Sequence, residues 1–162
     1  MIDASDEDGR ARLAAALGIR RWVDEVADGG PYADTAALVA AGERASAGMT
    51  DAELDEAVAH HPRIGERPAG DGEGSRLSLG EQAGLGRADE GLDAAIARGN
   101  LVYEQRFSRV FLIRAAGRSR QDVADELERR LKNDPATEAE EAKEQLRQIA
   151  SLRLEAQFGL GA

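Results

Sequence analysis

The sequence contains no cysteine among its 162 residues, which excludes a disulfide framework, a thiolate nucleophile and a cysteine-based zinc site. Aromatic residues make up only 4%, so the core must be built mainly from Leu, Ile, Val and Ala, which favours helices. No run approaches the roughly 18 consecutive apolar residues that a membrane-spanning helix needs. These absences favour a helical protein without disulfides or a membrane span.

Basic residues are also scarce, with 21 Lys and Arg against 31 Asp and Glu, for a formal net charge of −10. This charge argues against a nucleic-acid partner, because neutralising phosphates requires clustered basic side chains. The N-terminus is acidic where a signal peptide would be basic, and the C-terminus carries no peroxisomal Ser-Lys-Leu address. We therefore expect a cytoplasmic protein with no nucleic-acid and no membrane partner.

Apolar residues recur at helical spacing through nearly the whole chain, which predicts an all-α fold. Thr50 and Glu53 have the spacing of a capping box, and the helix they begin must end near His61-Pro62. Thr137 and Glu140 have the same spacing and predict the start of the last helix. The chain length fits one compact bundle of roughly seven or eight helices.

Other segments are predicted to lie outside this bundle or remain without an assignment. Residues 1–9 are expected to form a disordered acidic tail, residues 10–158 the helical domain, and residues 159–162 a short C-terminal tail. The glycine-rich stretch 63–77 reads as a loop, either a lid or a plain linker. The apolar run 110–113 cannot be assigned from periodicity alone.

His61 stands at a predicted helix C-terminus and directly before Pro62. The helix dipole favours the protonated ring there, which suits an acid or a hydrogen-bond donor. The simpler explanation is a surface histidine that caps the helix. The neighbouring His60 does not make a metal site with it, because adjacent histidines lack the i, i+4 spacing that places two ligands on one helical face.

Glu81 follows the glycine-rich stretch at a predicted helix start. Ser78 and Glu81 have capping-box spacing, so holding the helix start is a sufficient explanation for this carboxylate. The preceding glycines do not form a nucleotide loop, since no strand precedes them and no Gly-Lys-Ser/Thr follows.

Arginine is concentrated in residues 98–120, where six arginines accompany one acid, Glu104. Such a cluster suits a small carboxylate-bearing ligand, although ion pairs with acidic neighbours would explain most of it. Arg153 follows Ile149 by four residues and Leu146 by seven, within an apolar stripe. A guanidinium buried there requires an internal carboxylate or an anionic ligand. Together these groups outline a cofactor-independent acid/base site.

An ordered set of motifs across roughly residues 10–158 resembles the 2-oxo-4-hydroxy-4-carboxy-5-ureidoimidazoline (OHCU) decarboxylases of urate breakdown. The motifs are His61-Pro62-Arg63-Ile64-Gly65-Glu66, Ser78-x-x-Glu81-Gln82, Asn100-x-x-Tyr103-x-x-x-Phe107, Phe111 through Ser119, and Ile149-x-x-Leu152-Arg153-Leu154. Many members of that family have Phe-Gly where this chain has Phe107-Ser108.

The resemblance implies an all-helical homodimer that converts the small anionic substrate OHCU to (S)-allantoin and CO2, with no metal and no organic cofactor. It implies His61 as the catalytic acid, Glu81 as the second catalytic group and Arg153 as the arginine of the last helix. The substrate-binding residues it implies are Pro62, Ser78, Leu79, Gly80, Glu81, Gln82, Phe111, Leu112, Ile113, Arg114 and Ala115.

Two other functions fit the same residues. One is a helical interaction module that docks an acidic partner, and the other is a different cofactor-free lyase or hydrolase acting on a small anion. The surroundings of Arg153 separate the first from a decarboxylase, because a module should pair this arginine with an internal carboxylate, whereas a decarboxylase should point it into a pocket beside His61 and Glu81.

Overall fold

A computed structural model describes residues 1–59, 61–64, 77, 81–82, 85 and 89–159. In this part of the chain the structure has seven bounded α-helices, further helical residues at Leu77, Glu81, Gln82 and Leu85, and one isolated bridge between Ile2 and Tyr32, and the all-α prediction is confirmed. No helix within these ranges has both the length and the apolarity required to cross a membrane. The helices are α1 (Glu7–Ala16), α2 (Arg20–Asp28), α3 (Thr35–Ser46), α4 (Asp51–Val58), α5 (Glu90–Phe107), α6 (Arg120–Arg130) and α7 (Pro135–Phe158).

The helices fall into two compact units, the first made of Met1–Ala57 with Leu146–Ala162 and the second of Val58–Gln145. In the first unit Trp22 is fully buried, and its indole N–H donates to the carbonyl of Gly42 at 2.9 Å. A Cβ at Gly42 would lie 2.9 Å from Leu154 Cδ1 and 3.1 Å from Trp22 Cζ2. A glycine on α3 therefore lets α2 and α7 pack closely against it.

The core of the second unit is an apolar cluster built mainly from α5, α6 and the segment 111–115. Its buried members are Ile64, Leu85, Ile96, Tyr103, Phe107, Phe111, Ile113, Ala115, Val123 and Leu127. The Tyr103 ring lies 4.7 Å from that of Phe107 and 5.2 Å from that of Phe111, between ring centroids. A Cβ at Gly99 would lie 2.5 Å from Leu127 Cδ2, so glycine allows α5 and α6 to approach.

The capping box predicted at the start of α4 is confirmed. The N–H of Glu53 donates to Thr50 Oγ1 at 3.1 Å, and the N–H of Thr50 donates to Glu53 Oε1 at 3.0 Å. The helix ends at Val58, before the proline, as expected. A second capping box, between Ser119 and Asp122, begins α6.

The predicted start of the last helix was wrong by three residues, because the capping residue is Asp134 and not Thr137. Helix α7 begins at Pro135, and the side chain of Asp134 caps it by accepting a hydrogen bond from the N–H of Thr137 at 2.7 Å. Proline is well suited to the first helical position, since its missing N–H would have no partner there. Thr137 therefore lies inside the first turn, and its spacing to Glu140 has no capping role.

The N-terminal residues differ from the disordered tail that their acidity suggested. The main chains of Ile2 and Tyr32 exchange two hydrogen bonds, of 2.6 Å and 2.7 Å. Ala4 is fully buried, and the Asp6 carboxylate caps α1 by accepting from the N–H of Gly9 at 2.7 Å. A Cβ at Gly9 would lie 2.5 Å from Ala4 Cα, so these contacts order residues 2–9 despite their charge.

Helix α5 ends with Ser108 in the left-handed region, at φ 58°. Glycine is the residue that adopts this conformation without strain, which explains the Phe-Gly of many OHCU decarboxylases at this point. Ser108 keeps the same helix end, and its N–H donates to the carbonyl of Glu104 at 2.9 Å.

Candidate active site

His61 lies just past the end of α4, as predicted. Its main-chain N–H donates to the carbonyl of Val58 at 3.0 Å, and both His61 and Pro62 are half-buried. The carbonyl end of a helix favours a protonated imidazole, so the position suits an acid. His60 lies outside the described residues.

The segment 61–64 is held to α5 by two anchors. The guanidinium of Arg63 binds the carboxylate of Glu104 in bidentate fashion, with Nε–Oε1 at 2.5 Å and Nη2–Oε2 at 3.0 Å. The hydrogen bond from Arg63 holds the pKa of the Glu104 carboxyl below its ordinary value. Ile64 is buried, and its carbonyl accepts a hydrogen bond from Asn100 Nδ2 at 3.1 Å. The His61-Pro62 turn therefore precedes a fixed piece of backbone.

Asn100 also carries a buried oxygen atom, Oδ1, without a hydrogen-bond partner in the described structure. The residue is 4% exposed and lines a cavity of about 200 Å³ formed by α5 together with Arg63 and Ile64. A buried acceptor of this kind suits an N–H donor or a water.

Glu81 and Gln82 are helical and half-buried, and they belong to the same unit as His61. Ser78, Leu79 and Gly80, the rest of the implied substrate-binding stretch, lie outside the described residues. The predicted capping box between Ser78 and Glu81 therefore stays a prediction.

The segment 111–115 has no regular secondary structure, although it is mostly buried. Phe111, Ile113 and Ala115 join the apolar cluster of the second unit, whereas Leu112 and Arg114, which alternate with them, do not. This alternation is typical of extended backbone. Nε of Arg114 is buried and has no hydrogen-bond acceptor among the described residues.

A buried charge network lies beside this segment. Arg130 is 1% exposed and Glu138 is 0% exposed, and they form an ion pair through Arg130 Nε, at 2.8 Å, and Nη2. The same carboxylate accepts from the hydroxyl of Tyr103 at 2.5 Å and from Asn133 Nδ2 at 3.0 Å. Burial, and then the hydrogen bond to Glu138, raise the pKa of Tyr103.

Arg130 is not among the site residues predicted from the sequence, although its spacing indicates that it is buried. Arg130 follows Val123 by seven residues and Leu127 by three, so it continues the apolar stripe of α6. The same kind of spacing predicts the burial of Arg153. The arginine cluster predicted from residues 98–120 ends before Arg130.

Several arginines of residues 98–120 bind other parts of the protein. Arg120 pairs with Asp93 at 2.8 Å, Arg106 donates to the carbonyl of Asn133 at 2.7 Å, and Arg118 donates to the carbonyl of Arg114 at 3.0 Å. The predicted pairing with an acidic neighbour is confirmed for Arg120, whereas Arg106 and Arg118 bind main-chain carbonyls. No group of three or more His, Asp or Glu side chains suited to a metal occurs in the described ranges.

Arg153 belongs to the first unit and is buried, 5% exposed, as its spacing predicted. Its Nη1 donates to the carbonyl of Ala15 at 2.8 Å, near the C-terminal end of α1. A guanidinium is favourable there because the carbonyl end of a helix carries partial negative charge.

Comparisons with known proteins cover nearly the whole chain. The family model described as OHCU decarboxylase matches residues 3–155, while no curated protein matches the sequence. A crystal structure of OHCU decarboxylase in the presence of (S)-allantoin is 21% identical, with a TM-score of 0.79 over 92% of this chain and 98% of that one. A crystal structure of (S)-allantoin synthase is 14% identical, with a TM-score of 0.69 over 93% of this chain and 50% of that one. These likenesses concern the fold, whereas the family match covers nearly the full sequence: the chain belongs to the OHCU decarboxylase family, and is a carboxy-lyase.

Proposed function

We propose that this chain converts OHCU to (S)-allantoin and CO2 without a metal or organic cofactor, and that it delivers the new proton to one face of the ring. The observation that carries the proposal is the family match over residues 3–155. The fixed backbone behind His61-Pro62 supports it further, because a proton donor must be held within hydrogen-bond reach of its target.

The reaction needs one bond broken and one proton delivered. The bond between C4 and the carboxylate breaks, CO2 leaves, and the electron pair passes into the ring toward the carbon–nitrogen double bond. The ring nitrogen of that double bond takes up a proton as the 4-hydroxyl gives one up and becomes a carbonyl, and the acid adds the one further proton to the carbon that bears the ureido group. Delivery from one side gives a product of a single hand.

Each group has a role in this scheme. His61 is the acid, or it positions the departing carboxylate, while Glu81 and Gln82 fix the orientation of the ring. Arg153 and the main-chain N–H groups of 111–115 bind the polar edges of the ring and the ureido group. Pro62, Ser78, Leu79 and Gly80 complete the contacts with the substrate. The homodimer and the cytoplasmic location remain predictions.

The test is to generate OHCU freshly from urate with the two upstream enzymes and to add this protein. The decay of OHCU and the circular dichroism of the allantoin formed are followed together. We expect faster decay and a product of one hand. Unchanged decay to racemic allantoin, with folded protein, would favour another lyase or the interaction module.

His61→Ala should lower the turnover number about 10²–10⁴-fold, the usual contribution of a positioned proton donor. The matched control is His60→Ala, which removes the same chemical group from the adjacent position and should leave turnover unchanged. Glu81→Ala should also lower activity per folded molecule. Near wild-type turnover in His61→Ala would contradict the assignment, as would a Glu81→Ala enzyme that is less stable but equally active.

A further inference from the structure

The segment 111–115 is held along one edge by side chains of α6 and α7. Arg130 Nη1 donates to the carbonyl of Leu112 at 2.7 Å, and the N–H of Arg114 donates to Gln145 Oε1 at 2.9 Å. In extended backbone, the main-chain groups of alternate residues point to the same edge. The groups of residues 112 and 114 therefore face the two helices together.

The opposite edge of this segment presents hydrogen-bond donors. The main-chain N–H groups of Ile113 and Ala115 have no acceptor in the described part of the protein. Buried N–H groups without a partner are rare in proteins, and one explanation for them is a ligand that accepts their hydrogen bonds. This edge is the one that would meet the ring of the substrate.

The guanidinium of Arg130, which binds the first edge, is itself held by Glu138 and Phe111. Glu138 accepts from Nε and Nη2 of Arg130, and the hydroxyl of Tyr103 donates to the same carboxylate oxygen. The guanidinium carbon also lies 4.8 Å from the centre of the Phe111 ring, so one face is covered by the first residue of the segment. Arg130 therefore has a single orientation, and its remaining nitrogen, Nη1, points at Leu112.

A buried ion pair is a poor source of stability, because apolar residues of similar volume are often as stable or more so. What an apolar side chain cannot do is donate a hydrogen bond to the carbonyl of Leu112. The specific contribution of this pair is thus the placement of the segment.

We propose that Arg130, oriented by Glu138 and Tyr103, is a positioning residue that sets the segment 111–115 for substrate binding. This inference rests on the proposed function, since it assigns those N–H groups to OHCU. The network contacts the segment at the edge of residues 112 and 114, opposite the edge proposed to bind the substrate, and takes no part in the proton transfer.

The test is the double variant Arg130→Met/Glu138→Leu, which removes both charges and keeps their volume, so that no buried charge is left alone. We expect it to fold and to unfold cooperatively at a midpoint between those of Glu138→Leu and the wild type, because the buried Leu112 carbonyl and Tyr103 hydroxyl lose their partners. We also expect kcat/KM to fall about 10²-fold, the effect of a misplacement of roughly 1 Å in a site. The loss should be larger in KM than in kcat, because the segment binds substrate and His61 is untouched.

The matched control is Arg129→Met/Glu126→Leu. It removes one arginine and one glutamate from neighbouring positions of α6 without changing the net charge. Arg129 is 52% exposed, and the pairs that the change breaks join it to Glu126 and Glu141. This control should keep wild-type kcat/KM.

A second readout does not depend on activity. Hydrogen exchange of the Leu112–Ala115 amides should become faster in Arg130→Met/Glu138→Leu than in the control, by more than the difference in their global stability accounts for. If the double variant has the same kcat/KM and the same amide exchange rates as the control, the inference is wrong and the network has only a structural role. A wild type that leaves OHCU decay unchanged would instead overturn the proposed function, and the exchange rates would then decide by themselves whether the network holds the segment.

Discussion

Two irregular segments of the second unit, 61–64 and 111–115, are anchored by the same kind of bond but by different kinds of charge pair. In each, a buried side chain donates to a main-chain carbonyl, from Asn100 to Ile64 and from Arg130 to Leu112. The pair beside the first segment, Arg63–Glu104, has side chains 43% and 21% exposed, whereas those of Arg130–Glu138 are 1% and 0% exposed. Solvent can replace a lost partner in the first pair and cannot in the second.

This contrast indicates where each segment obtains its rigidity. An exposed pair contributes little and is screened by salt, so the neutral bond from Asn100 is the main anchor of 61–64. The segment 111–115 instead depends on a charged donor that needs its carboxylate. Removing one partner from each anchor tests this difference directly.

The largest effect is expected from Glu138→Leu. This change removes the carboxylate that accepts two hydrogen bonds from the buried Arg130 and leaves it the longer contact of Nε with Glu141, at 3.7 Å, so we expect a cost of about 3–5 kcal/mol in the free energy of unfolding. Urea unfolding followed by far-ultraviolet circular dichroism measures it. The double variant Arg130→Met/Glu138→Leu should recover most of the loss. A single variant as stable as the wild type would mean that solvent reaches Arg130 and that the contrast between the two pairs does not hold.

Much of the fold could be predicted from the sequence, because helix starts depend on local chemistry. The Thr50–Glu53 box needs only residues three apart, and the structure has both of its hydrogen bonds. The start of α7 was misjudged because Asp134 and Thr137 are both good caps, and the proline between them favours the earlier one. The order of residues 2–9 depends on pairing between Ile2 and Tyr32, a distant contact that a local pattern does not show.

The site was predicted less completely, for a related reason. The His61-Pro62 turn and the burial of Arg153 follow from spacing along one helix, and both could be stated in advance. The Arg130–Glu138–Tyr103 network joins residues of three helices, and only the folded chain brings them together. Periodicity marks Arg130 as buried but does not name the partner.

A smaller loss is expected from Asn100→Asp, which replaces the donor to the Ile64 carbonyl by an oxygen without a change in shape. The buried acceptor left unsatisfied costs about 1–3 kcal/mol at neutral pH. Burial should raise the pKa of the new carboxyl, so its protonated form donates again at low pH and stability returns as the pH falls. Denaturant midpoints at pH 7 and pH 5 give the comparison with the wild type.

Gln105→Glu, at an exposed position of α5, is the control for the added negative charge. It should show no recovery of stability at pH 5. If Asn100→Asp behaves like this control, the main anchor of segment 61–64 is the Arg63–Glu104 pair and not Asn100.

Ionisation of the Tyr103 hydroxyl makes the free energy of unfolding depend on pH in the alkaline range. Because the pKa of Tyr103 is raised above its ordinary value of 10 in the folded chain, the unfolded chain loses this proton first. Stability should therefore be unaffected below pH 10 and fall above it, by roughly 1 kcal/mol per pH unit. Tyr103→Phe should lack this part of the alkaline loss, as measured by unfolding between pH 9 and 11. Equal slopes in both proteins would place the Tyr103 hydroxyl in contact with solvent.

The smallest effect is expected from Glu104→Gln at the exposed pair. The bond from Arg63 lowers the pKa of Glu104 from its ordinary value of 4.5, so the contribution of this carboxylate is present above that value and is lost as the pH falls below it. At pH 7 and low salt we expect a loss of about 0–1 kcal/mol.

The size of this loss matters less than its dependence on conditions. Half-molar salt, or a pH well below the lowered pKa of Glu104, should bring Glu104→Gln and the wild type to equal stability, because both conditions remove the same electrostatic attraction. Glu138→Leu should keep its loss in salt, since the buried charge is not screened. A Glu104→Gln loss that persists in salt would show that the bidentate geometry, rather than the charge, holds the His61-Pro62 turn, and the two segments would then be anchored alike.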